Sequence, residues 1–334
     1  MSKAQSQQPQ AIGLDIGTSR VVAARRSEGN DRFEAQLNAF VTIAHSKLTE
    51  GSLKRENVPH AVTEGQIIIY GNESARMADL LGQEIRRPMT HGTLNPGEPE
   101  SLAQMESIIS SVLSGVERNA RICFSVPAAP LGGDENLTFH EATIRGILKK
   151  VGFDEVRSIN EGLAVIYGEL EDTNYTGIGI SCGGGLCNVA VAYLSVPVLS
   201  FSIAKGGDYI DASAASVTGE LINRVRMTKE ESFHFNGHYT DKIRQALTVY
   251  YEEMIEELIH SLKEAFAATR HVPKVGRAIP LVLSGGGVLP QGFRERFEKP
   301  LKEAHLPIPI SEVRLAPEPL YSTAKGALVS ALSE

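Results

Sequence analysis

The stretch "GIGISCGGGLCNVAV", residues 177–191, decides the fold. Apolar residues lead into three consecutive glycines, and a β-branched run leaves them. This reads as two strands joined by a tight turn whose backbone can approach an anion closely. A turn of this kind that handles a metal–nucleotide carries an acidic residue just before the glycines. Here those positions hold Ser181 and Cys182. A similar stretch, "IGLDIGTSRVVAA", begins at Ile12, about 165 residues earlier. Aligned on their glycines, both give an apolar strand, a turn and a β-branched strand, a weak internal repeat. A third strand-to-glycine passage, "IPLVLSGGGVLPQGF", occupies residues 279–293. One glycine-rich turn is usually a structural hairpin. Three in order, with Asp15 embedded in the first strand, point to a ligand cleft between two α/β halves.

The whole chain agrees with two halves. Its 334 residues exceed what one ordinary core supports. Hydrophobic residues make up 42% and charged residues 22%, the balance of a soluble globular protein. A net charge of −7 advertises no nucleic-acid partner. Three cysteines, few and odd in number, do not make a disulfide framework and suit a reducing, cytoplasmic setting. Cys182 and Cys187 have no further cysteine nearby to complete a tetrahedral metal site. The N-terminal "MSKAQSQQPQ", residues 1–10, is polar, is expected to be disordered and lacks a signal-peptide core. No window of about 18 apolar residues is present to span a membrane. Nor does the N-terminus form an amphipathic helix that would bind a membrane surface.

Periodicity places further elements. A single strand is expected over 32–45 and another over 66–71, with a helix over 72–81 and a loop over 86–100. A helix over about 100–115 carries Leu102, Met105, Ile108, Ile109, Val112 and Leu113 on one face. A buried strand is expected at 120–130, a helix at 136–153 and a short strand at "VRSI". Residues 196–225 read as strand, turn and helix, and 322–332 as a final helix. Residues 241–270 form a long helix with Ile243, Leu247, Tyr251, Met254, Leu258, Leu262 and Phe266 as its core-facing stripe. The expected division is a first lobe over 11–160, with a small extra subdomain at about 46–85, and a second lobe over 161–334.

These motifs together resemble the actin-like ATPase superfamily, which includes actin, bacterial actins of the MreB type, sugar kinases and the ATPase domain of heat-shock chaperones. "GLDIGTSRVV" looks like its first phosphate motif, "NEGLAVIYG" its connecting segment, and "GISCGGGLCNVAV" its second phosphate motif. "KGGDYID" matches the turn that follows, and "LVLSGGGVLPQGF" looks like the adenosine motif. The resemblance spans about residues 11–330 and implies a two-lobed α/β fold of duplicated ribonuclease-H-like domains around a nucleotide cleft. It implies ATP and Mg²⁺ as ligands. Asp15 would hold the hydrated Mg²⁺, which keeps several waters and needs few carboxylates. Gly17, Thr18 and Ser19 would meet the phosphates from one lobe, and Gly183, Gly184 and Gly185 from the other. Gly207 and Asp208 would lie near the terminal phosphate. Gly285, Gly286 and Gly287 would lie against adenosine, with adenine contacts in 219–232, Lys229 and Glu230 among them. Glu161 sits where the family orients the attacking water.

Other readings of these residues stay open. Asp15 could satisfy a neighbouring turn, Glu161 could simply favour a helix start behind the N-cap Asn160, and Asp208 could be a turn residue. The family pattern has an acid at Ser181, and often another at Asn188. Their absence implies nucleotide binding with slow or absent hydrolysis, since metal position sets the in-line geometry. Among superfamily members, "RRPMTHGTLNP" at 86–96 is similar to the "RP…G" segment of MreB-type actins, which implies self-association into filaments. The alternative is a monomeric module similar to a heat-shock ATPase domain or a pilus- or microcompartment-associated relative, which would grip a protein partner. A small-molecule kinase is the third reading, with no sign of a substrate pocket.

Overall fold

The computed structural model describes residues 10–98, 100–131, 137–269 and 277–333. The tail expected to be disordered therefore lies outside the described residues, except for Gln10. The chain begins with β1 (Ala11–Ile16), β2 (Arg20–Ser27), β3 (Asn30–Leu37), β4 (Phe40–Ala44), α1 (Lys47–Arg55), β5 (His60–Thr63), β6 (Gln66–Tyr70) and α2 (Asn72–Leu81). It continues with β7 (Met89–Thr90), β8 (Thr93–Leu94), α3 (Ser101–Val112), β9 (Arg121–Val126), α4 (Leu137–Val151) and β10 (Val156–Asn160). Helix α5 (Glu161–Glu169) leads into β11 (Gly177–Cys182), β12 (Cys187–Tyr193), β13 (Val196–Ile203), α6 (Gly207–Thr218) and α7 (Ile222–Ser232). Then come α8 (Lys242–Ala268), β14 (Ile279–Ser284), α9 (Phe293–Glu303), β15 (Ile310–Leu315) and α10 (Ser322–Leu332).

Two five-stranded sheets share one topology. The first has the order β10-β9-β1-β2-β3, and the second, read in the same sense, β15-β14-β11-β12-β13. In each, the central strand pairs antiparallel with the next strand in sequence and parallel with a later one. The internal repeat is thus a true structural duplication. Asp15 faces Val22 across the first hairpin, and Ser181 faces Asn188 across the second. Strand β1 is apolar because both its faces are covered, as parallel neighbours and helices demand.

The halves are joined by an exchange of helices. Helix α5 leaves the last strand of the first sheet and packs on β11 and β12 of the second. Helix α10 follows the last strand of the second sheet and packs on β1 and β9 of the first. The two helices cross at backbone contact: a Cβ on Gly326 would overlap the Ala164 carbonyl oxygen. Equivalent glycines receive them on the sheets, since a Cβ on Gly13 would overlap Ala324 O and one on Gly179 would overlap Gly162 O.

The long helix α8 buries all seven residues of its predicted stripe. Helix α3 buries its stripe except Leu102, which lies in the first turn and is 48% exposed. Residues 32–45 form two strands, not one. Asn38, fully buried, breaks the run: its backbone N–H donates to Ser19 O and its side chain donates to Gly17 O. Strand β4 thereby leaves the main sheet and joins a small sheet, β4-β6-β5, with a core of Val41, Leu53, Val58, Ile67, Ile69 and Ala78. The expected loop over 86–100 contains the hairpin β7–β8, turned by His91 and Gly92, both at positive φ. Among the described residues no helix is long and apolar enough to cross a membrane.

Two stability predictions follow from this packing. Gly326→Ala should lower the urea midpoint by the equivalent of about 1–3 kcal/mol or more, because neither helix backbone can retreat from the crossing. His140, on α4, is 3% exposed, and neither ring nitrogen has a partner among the described residues. Burial pushes its pKa down to about 4, from an ordinary 6.5. Between these values the unfolded chain binds a proton that the folded chain refuses, so stability falls as pH drops from 6.5 towards 4. The loss is about 3 kcal/mol. His140→Leu should flatten that part of the stability–pH curve, measured by urea denaturation; an unchanged slope would assign it to other groups.

Candidate functional site

The seam between the two sheets opens into a cavity of about 610 Å³, a size that suits a nucleotide-sized ligand. The three glycine turns line it: Gly17–Ser19, Gly183–Gly185 and Gly285–Gly287. Asp15, Glu161, Gly207, Asp208, Lys229 and Glu230 line it as well, so the residues that the resemblance assigns to the nucleotide all line one cavity.

Two carboxylates stand at its floor. Asp15 accepts from Ser125 Oγ at 2.7 Å, and the same Oγ accepts from Ile16 N at 3.0 Å. Glu161 begins α5, capped by Asn160, whose Oδ1 accepts from Gly162 N and Leu163 N. Its Oε2 accepts from Asn188 Nδ2 at 2.8 Å, while Asn188 Oδ1 accepts from Ala128 N at 2.8 Å. Burial pushes Asp15 up to about 6, against the Ser125 hydrogen bond. Burial, and then the negative charge of Asp15, push Glu161 up to about 8, against the Asn188 hydrogen bond. A buried carboxyl raised by a neighbouring carboxylate belongs to a pair whose charged form a cation would stabilise. Asn188 both donates and accepts here, which an ionised acid could not do. Ser181, 5% exposed, lines the same floor without charge.

The phosphate-type turns lie shoulder to shoulder. A Cβ on Gly184 would overlap Ser19 Oγ, and one on Gly185 would come within 2.7 Å of Gly92 N. Thr18 Oγ1 accepts from Gly92 N at 3.0 Å, which fastens the first turn to the β7–β8 hairpin. The amides of Gly207 and Asp208, opening α6, donate to Gly183 O and Gly184 O at 2.9 and 2.8 Å. They brace the second turn and are not free donors. The third turn rests on Cys182: a Cβ on Gly287 would come 2.9 Å from Cys182 Cβ. Gly285 has φ +90°, a conformation that favours glycine.

An ionic cluster rims the cavity, and the sequence reading missed most of it. Arg87 Nη1 reaches both carboxylate oxygens of Asp208 at 2.8 and 2.9 Å. Arg226 lies 3.4 Å from Asp208 and 3.1 Å from Asp211, and Lys229 Nζ lies 2.8 Å from Asp211 and donates to Gly207 O at 3.0 Å. Arg87 belongs to the noted "RP…G" segment, but its partner lies 121 residues away, beyond any local pattern. Arg226 and Lys229, three apart on α7, share a helix face, a signal that could have been read.

Duplicated sheets of this topology, exchanged helices and a glycine-lined cleft define the two-lobed actin-like ATPase fold. A MamK double helical filament structure matches with TM-score 0.73 and 18% identity, over 97% of this chain and 99% of that one. MreB5 of Spiroplasma citri bound to AMPPNP matches with TM-score 0.70 and 14% identity, over 98% and 97% of the chains. The ethanolamine utilization protein EutJ from Carboxydothermus hydrogenoformans matches with TM-score 0.56 and 15% identity, over 98% and 91%. At such identities these likenesses concern the fold. No curated protein sequence matches. The sequence profile of the Volactin family matches residues 10–331, and the chain belongs to that family.

Proposed function

We propose that this protein is a nucleotide-binding bacterial-type actin that assembles into filaments and hydrolyses ATP slowly or not at all. The observation that carries the reading is the convergence of three glycine turns and two buried carboxylates on one cavity at the seam of a duplicated fold. Solved structures of similar fold hold AMPPNP or ADP, and one is a filament. The three cysteines are buried and in no disulfide, which suits a cytoplasmic protein. The lobes would divide near residue 160, with the small sheet as an outgrowth of the first.

Within this reading, Asp15 and Glu161 would hold a hydrated Mg²⁺, a cation that needs few protein ligands. The burial of both, and the charge of Asp15 that disfavours ionised Glu161, fit that ion. Among the described residues no group of three or more His, Cys, Asp or Glu forms a dehydrated metal cage. When bound, the ion would neutralise phosphate charge. Asn188 holds Glu161 by its Oε2 and leaves Oε1 to orient a water. Ser181 brings no charge to the floor, so one anchor of the metal's water shell is missing, which supports weak turnover.

Sedimentation of the purified chain with Mg²⁺–ATP and without nucleotide tests the assembly. Pelleting as ordered filaments on a grid is the expected outcome. Protein that stays monomeric in both conditions favours the nucleotide-dependent binding module, the reading to which the EutJ likeness lends weight. Ser181→Asp is expected to raise phosphate release by about tenfold. An unchanged rate would show that the missing carboxylate is not what limits turnover.

A further inference from the structure

Among the described residues, Arg87–Asp208 is the one ion pair that joins a residue before α5 to a residue after it. Arg87 precedes β7, and Asp208 lies in the first turn of α6. The pair therefore spans the cleft mouth directly above the point where the two phosphate-type turns meet. The guanidinium is 18% exposed and Arg87 Nη1 also reaches Ser19 Oγ at 3.4 Å, so it touches the first turn. Through Asp208, whose amide donates to Gly184 O, it is one bond removed from the second.

The cluster allows Arg87 to be lent. The side-chain bonds it makes among the described residues all run through Nη1, whereas a guanidinium offers five N–H donors in a planar fork. Asp208 would not be stranded if Arg87 turned away, because Arg226 lies 3.4 Å from the same carboxylate. Lys229 is committed to Asp211 and the Gly207 carbonyl, and Arg226 Nε to Asp211, which is 1% exposed, while Arg20, exposed at the start of β2, also lines the cleft. Moving Lys229 or Arg226 would leave Asp211 with one cation where it now has two, and the loss costs more there than at Asp208, which is 32% exposed. Of the three cations in this cluster, Arg87 is thus the one that can reach an anion between the turns at the least cost.

We propose that Arg87 reads the terminal phosphate of a nucleoside triphosphate, and that this residue lets the cleft tell a triphosphate from a diphosphate. The proposal rests on the nucleotide reading above. A diphosphate, held lower by the glycine turns, leaves Arg87 on Asp208 and the clasp unchanged. A third phosphate between the turns meets the guanidinium fork, which suits phosphate oxygens better than a point charge does. Arg87 then bridges that phosphate and Asp208, and lobe closure becomes tied to the third phosphate.

Calorimetric titration of the full chain with Mg²⁺–AMPPNP and Mg²⁺–ADP tests this. Arg87→Gln should weaken AMPPNP binding about ten- to hundredfold and leave ADP binding within about threefold. Arg87→Lys should recover part of the AMPPNP affinity. The exchange of the pair, Arg87→Asp with Asp208→Arg, restores an ion pair across the cleft and distinguishes a clasp from a reader. Recovery of full AMPPNP preference by the exchanged pair would overturn the proposal, as would equal losses for both nucleotides in Arg87→Gln. Wild-type protein that binds neither nucleotide would remove the nucleotide reading itself, a result distinct from a loss confined to Arg87.

Discussion

The crossing of α5 and α10 is the contact on which the rest of the molecule depends. At Gly326 the two helices touch backbone to backbone, with the Ala164 carbonyl where a side chain would otherwise stand. Each helix arises from one sheet and covers the other. The depth of the crossing therefore sets how far apart the sheets sit, and with it the width of the cavity between them. Gly13 and Gly179, equivalent in the duplication, admit the visiting helix on each side. Small residues at these points decide the geometry of a cleft that none of them lines.

Duplication has left a site with symmetric scaffolding and asymmetric charge. Asp15 and Ser181 occupy the same place in the two sheets, beside Ser125 in one and Ser284 in the other. Ser125 donates to a carboxylate, whereas Ser284 donates to the Ile180 carbonyl at 3.2 Å. The two sheets thus differ at this place, an acid on β1 and a neutral hydroxyl on β11, and the second acid of the floor, Glu161, comes from the start of α5, which packs on the second sheet beside Asn188. Asn188 matches this arrangement, because its amide steadies Glu161 without adding a third buried anion.

How much of this was legible in the sequence follows from the range of the interactions. The glycine turns and the α8 stripe announce themselves within a few residues, through backbone conformation and helical period. The duplication was legible because Gly13 and Gly179, and the turns after them, fall in step. What escaped were contacts made by one residue at long range. Asn38 splits an unbroken apolar run because its buried amide must serve Gly17 O. Leu102 keeps the helical period yet faces solvent, since it lies in the first turn of α3. The Arg87 clasp exists only once the two halves have docked, and nothing near Arg87 in the chain hints at Asp208.

The exchanged helices also bear on how the chain is made. The face of the first sheet that carries Ala11, Val22, Ala24, Cys123 and Ile159 is sealed by Ala324, Ala327 and Leu328 of α10. On a ribosome working at roughly 5–20 residues per second, that seal arrives many seconds after the sheet can form. Throughout that interval the nascent chain displays an apolar strip with its permanent cover still unmade. Such a strip is a natural landing place for a holdase, and the docking of α10 that displaces it closes both halves in one cooperative step.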